Sequence, residues 1–64
     1  MYINTEKYKR RLKEKGLTAN YLIDKTLSNR TQFYKYINAE IEVPADFMLR
    51  LSNELVCPVN YLAK

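Results

Sequence analysis

The sequence predicts an all-α fold of five short helices, the second and third meeting at a tight turn around Leu27 and Ser28. Three observations predict it. Apolar residues recur three and four apart along the longer segments, capping residues and the few Gly and Pro fall between those segments, and the one stretch resembling a strand, AEIEVP, is too short and too charged for a core strand. Repeats, low-complexity tracts and linkers are missing from the chain, so residues 1–64 read as one domain.

The first helix starts near Asn4 or Thr5, either of which can cap free backbone N–H groups, and stops near Gly16, the only glycine and a natural left-handed terminator. Tyr8 and Leu12, four apart, mark its inner face. The second helix is capped by Thr18, turns Leu22 and Ile23 inward and loses its pattern by Thr26. The third begins after Ser28 or Asn29 and runs to about Asn38, with Phe33, Tyr36 and Ile37 inward. AEIEVP is a loop, and Pro44 either opens the next helix or stiffens the turn before it. The fourth helix, about Ala45 to Val56, is the main core former, with Met48, Leu51 and Leu55 inward, Phe47 adjacent, and Arg50, Asn53 and Glu54 outward. Pro58 opens a last helical turn in which Val59 and Leu62 close over the core, and Cys57 is read as buried packing.

A 64-residue chain buries only a small core and has no room for separate substrate and cofactor domains. One cysteine and no histidine exclude an internal disulfide and the usual four-ligand zinc sets. Without histidine, a glycine-rich phosphate loop or a carboxylate pair aimed into a cleft, enzymatic function is not expected, and neither a metal nor a cofactor is implied. No run of apolar residues is long enough for a signal peptide or a membrane span, so a soluble cytoplasmic protein is expected.

The placement of charge says more than its net value of +4. Residues 1–35 hold nine Lys/Arg against three Asp/Glu (+6), and residues 36–64 hold two against four (−2). The first three helices therefore offer a polyanion-facing side. A membrane surface fits less well, because the first helix has too few apolar residues for a buried face.

Turning Phe33, Tyr36 and Ile37 inward leaves Arg30, Thr31, Tyr34 and Lys35 on the outside of the third helix, where they can read a DNA groove. Arg30 can donate two parallel hydrogen bonds to guanine O6 and N7. Lys35 can reach guanine or phosphate, Thr31 offers a hydroxyl and a methyl, and Tyr34 can meet a thymine methyl or a phosphate. Candidate backbone contacts are Asn29 and Asn38 at the two ends of that helix, Thr18 and Asn20 at the start of the second, and Arg10 and Arg11, with Lys9, on the first. The six tyrosines mostly fall at core or rim positions; stacking of Tyr34 and Tyr36 on unpaired bases would suit a sheet or an open groove better than this helix pair.

Five pieces in register, KEKGLT at Lys13 to Thr18, the two-helix unit Thr18 to Asn38, Pro44, LRLSNEL at Leu49 to Leu55 and CPVNYL at Cys57 to Leu62, resemble the Cro and lambda-repressor-like helix-turn-helix regulators over nearly the whole chain. The resemblance implies a five-helix DNA-binding domain, a repressor of phage, mobile-element or bacterial operon type, and a base-reading role for Arg30, Thr31 and Lys35, with Tyr34 beside them. Three positions depart from the family's pattern. Ala19 replaces a backbone-bracing glutamine, Ile23 a small alanine between the helices, and Leu27 the glycine of the turn, which implies a wider helix angle or a shifted turn.

One recognition helix buries too little surface for tight binding, so a homodimer on a pseudo-palindromic duplex is expected. Its contact would be Val59, Tyr61 and Leu62, with Tyr2 and Ile3 as second choice. The alternative partner is a second regulatory protein, as in antirepressor or antitoxin-like members of the family, and the departures at Ala19 and Leu27 suit that role.

Overall fold

The computed structural model describes residues 1–64. Its elements are α1 (Thr5–Lys15), α2 (Ala19–Lys25), α3 (Arg30–Ile37), α4 (Ala45–Leu55) and α5 (Val59–Leu62), with no strands beyond one isolated antiparallel bridge, Ile3 to Ala63. None of the helices is long and apolar enough to cross a membrane.

Each start follows the local chemistry read from the chain. The side chains of Asn4, Thr18 and Asn29 accept from Lys7 N, Tyr21 N and Gln32 N, satisfying one free N–H at the heads of α1, α2 and α3. Pro44 and Pro58 stand immediately before α4 and α5, where a missing N–H costs nothing.

The ends of α1 to α4 share one closure. Gly16 (φ 67), Leu27 (φ 57), Ala39 (φ 59) and Val56 (φ 52) are left-handed. The residue after each returns its N–H across the last turn: Leu17 to Leu12 O, Ser28 to Ile23 O, Glu40 to Lys35 O and Cys57 to Ser52 O. This is the Schellman pattern, which supplies donors to otherwise unpaired carbonyls. Three of the four ends use a side-chain-bearing residue. Leu27 itself takes the left-handed conformation that closes the α2 end.

The core is one cluster of 11 buried residues, and α4 is its spine, packing on α1, α2 and α5. Phe33 sits at the aromatic centre, edge-on to Tyr8, Tyr34 and Phe47 at centroid distances of 6.4, 5.7 and 5.9 Å. Val43, inside the expected loop, is also buried. Its N–H donates to Met1 O at 2.8 Å, Asn4 N to Leu62 O and Lys64 N to Tyr2 O, so residues 1–4 are stitched between the α3–α4 loop and the chain's other end.

This stitching corrects two expectations for the dimer contact. Leu62 and Ile3 are both 0% exposed, because they plug the base of the core from either side of that seam, and neither can meet a partner. Val59 and Tyr61 are half-buried, and Tyr2 is exposed. Cys57 is half-buried rather than buried, and burial raises its thiol pKa while Arg11 beside it pulls the other way. Its thiol is thus a weak nucleophile.

Candidate nucleic-acid interface

Because Phe33 and Ile37 anchor α3 to the core, the opposite face is free. Arg30, Thr31, Tyr34 and Lys35 are all exposed on it. An α-helix with its side chains is about 10–12 Å across, which the roughly 12 Å wide major groove of B-DNA admits.

Arg30 is not a loose surface cation. One of its terminal amino groups donates to Asn20 Oδ1 at 2.8 Å, across the two helices. The bond fixes one side of the guanidinium and leaves its other donors free.

Asn20, Thr18 and Asn29 share a property that matters for an anionic ligand. Each uses its side-chain oxygen inside the protein: Asn20 for Arg30, Thr18 for Tyr21 N at 3.2 Å and Asn29 for Gln32 N at 2.7 Å. What each still has for a ligand is a donor, the amide NH2 of the asparagines and the hydroxyl proton of Thr18. Phosphate oxygens accept only, so this is the polarity such a ligand requires.

The other end of α3 differs. Asn38 is exposed, but Ala39 turns the chain into a loop carrying Glu40 and Glu42, with Asp46 just beyond, all exposed. The exit of α3 thus carries the acidic groups, while Arg30 and Lys35 place one cation in its first turn and one in its last.

Arg11 requires a correction. Expected as a backbone contact, it instead lies against α4, its Nε donating to Leu55 O and a terminal nitrogen to Val56 O, both at 2.8 Å. The last carbonyls of a helix need donors, and the planar guanidinium serves two at once. Its remaining nitrogen pairs with Glu14 at 3.3 Å. Arg10, by contrast, is exposed and has no partner of this kind.

Sequence reasoning missed Gln32. It is exposed on the α4 flank of α3, and its Nε2 donates to Tyr36 Oη at 2.8 Å while the Tyr36 ring packs on Phe47 at 4.6 Å. Together with Leu27, Asn29, Asp46 and Arg50 it borders a cleft of about 240 Å³ beside the α2–α3 turn. No period or spacing marks Gln32, since it lies just outside the apolar stripe. There is no cluster of His, Cys, Asp and Glu suited to a metal ion. Comparison with profiles of known protein families, with curated proteins and with solved structures gives no match, so the geometry described above is what a functional reading has to rest on.

Proposed function

We propose that the chain is a lambda-repressor-like helix-turn-helix domain that binds double-stranded DNA and regulates transcription, with α2 and α3 as the two-helix unit and α3 in the major groove. The observation that carries this reading is the Asn20–Arg30 bond, which orients the best base-reading side chain on an exposed helix flanked by outward donors. Arg30 and Thr31 enter deepest, Tyr34 and Lys35 follow, and Thr18, Asn20 and Asn29 hold phosphates. Two copies on a pseudo-palindromic site would supply the surface that one lacks, with Val59, Tyr61 and Tyr2 as the exposed or half-buried candidates for their contact.

Selection of bound duplexes from a random pool tests this. An enriched, roughly palindromic site whose sequence preference relaxes with Arg30→Ala or Lys35→Ala is the expected result. Equal binding to every sequence would defeat it.

A second reading rests on Leu27, which is 75% exposed at the mouth of the cleft it shares with Pro44, Phe47 and Arg50. An exposed leucine beside a cleft suits a protein partner. In that case a protein, not a duplex, would be retained from the chain's native setting, and changing Leu27 to Ser would release it.

A further inference from the structure

The amide side chains of α2 and α3 differ in what they have left to offer. Asn20 and Asn29 spend their oxygens on Arg30 and on Gln32 N, and the Nε2 of Gln32 is held by Tyr36 Oη on the α4 flank. Asn38 is exposed, and neither end of its amide is engaged within the chain. Its direction is set by the helix. Asn38 N donates to Tyr34 O at 2.9 Å, so the residue completes a helical turn and its Cβ keeps the helical bearing. At about 100° per residue Asn38 lies about 20° from Thr31 and about 60° from Lys35, on the side away from the buried Phe33 and Ile37. The left-handed position, where an asparagine would serve the backbone, falls to Ala39 instead. Neither packing nor helix closure therefore calls for an amide at this position.

We infer that Asn38 reads an adenine in the major groove, its Nδ2 donating to N7 and its Oδ1 accepting from the N6 amino group. The inference rests on the DNA-binding reading and moves Asn38 from the strand backbone, where its place at a helix end put it, to a base edge. Reading adenine takes a donor and an acceptor on one amide, and Asn38 keeps both free. A phosphate only accepts and would leave Oδ1 unused. The carboxylates of Glu40 and Glu42, exposed just beyond, also oppose a phosphate there, whereas a base edge carries no net charge. Asn38 stands seven residues, about 10 Å, along the axis from Thr31, so its adenine falls about three base-pair steps from the pair that Thr31 meets.

The experiment takes the duplex that wild type selects from a random pool, substitutes it one base pair at a time, and follows binding by fluorescence anisotropy. Wild type is compared with Asn38→Ala and Asn38→Asp. One bidentate amide–adenine pair discriminates by roughly 5- to 150-fold against the wrong base, so wild type should show that preference for adenine at one position. Asn38→Ala should flatten that position and leave the preferences elsewhere intact. Asn38→Asp keeps acceptors but has no donor, so its preference there should move toward cytosine, whose N4 amino group donates. Should Asn38→Ala weaken binding to every duplex alike and keep all the wild-type preferences, Asn38 holds a phosphate and the inference is overturned. Unchanged binding and preferences in Asn38→Ala overturn it as well. Selection of no motif by the wild type overturns both the inference and the reading on which it rests. Circular dichroism of the two variants, at an exposed position, verifies that any loss is not unfolding.

Discussion

Leu27 carries two unfavourable features at once, a left-handed backbone and an apolar side chain 75% exposed. The left-handed region costs an L-residue roughly 1–2 kcal/mol, and glycine gives back about 0.5–1 kcal/mol through its freer unfolded chain. Leu27→Gly should therefore raise stability by about 0.5–1 kcal/mol, visible as a higher urea midpoint with unchanged slope. A lower midpoint would mean the side chain packs against the folded domain after all. Tyr8 provides a different residue-scale test. Burial, with a smaller contribution from Tyr34, pushes its pKa up to about 12. Folding thus disfavours the phenolate, and the unfolded tyrosine ionises near 10. Stability is intact below that pH and falls as pH climbs toward about 12, by about 2–3 kcal/mol in full. Urea melts of wild type and Tyr8→Phe across that window should diverge, wild type losing more. Tyr21, whose hydroxyl donates to Glu54 and whose pKa is raised for that reason, titrates in both proteins and cancels. Parallel curves would rule out Tyr8 as the source.

At the scale of elements, much of the molecule is legible in the sequence because its helix starts are written in side chains. Asn4, Thr18, Asn29, Pro44 and Pro58 each stand where their chemistry predicts. The ends are less legible. Gly16 announces a left-handed terminator, whereas Leu27, Ala39 and Val56 take the same conformation without any residue-type signal, under the pull of the hydrogen bonds that close their helices. The half-read element is α1. Its charge is plain, but which cation faces α4 depends on how the helix is rotated in the packed domain, and the sequence alone leaves Arg11 among the surface cations. Arg11→Ala should cost about 2 kcal/mol, since two carbonyls at the end of α4 lose a charged donor. Arg11→Lys should not restore this, because a compact ammonium cannot serve both carbonyls in the guanidinium's geometry. Thermal melts with and without the substitution check it; a neutral result would mean water replaces the cap.

For the whole molecule, long-range order comes from contacts that no local pattern predicts. The seam between residues 1–4, Val43 and residues 62–64 buries Ile3 and Leu62 and removes them from any intermolecular surface. The candidate interface was readable as a set of exposed residue types on the third helix. Its pre-orientation through Asn20 was not, because that bond joins side chains ten residues apart on different helices. The proposal stands on the α3 face, with its α2 flank, as the place where DNA lies. The most direct measurement is an amide chemical-shift titration of the isotope-labelled protein with duplex DNA at low salt. Perturbations concentrated at Thr18–Tyr21 and Asn29–Lys35 are expected, with a separate, smaller set at Val59 and Tyr61 where two bound copies meet, while the Glu40–Asp46 loop stays still. Shifts centred instead on Leu27, Phe47 and Arg50, or no shifts at all, would contradict it.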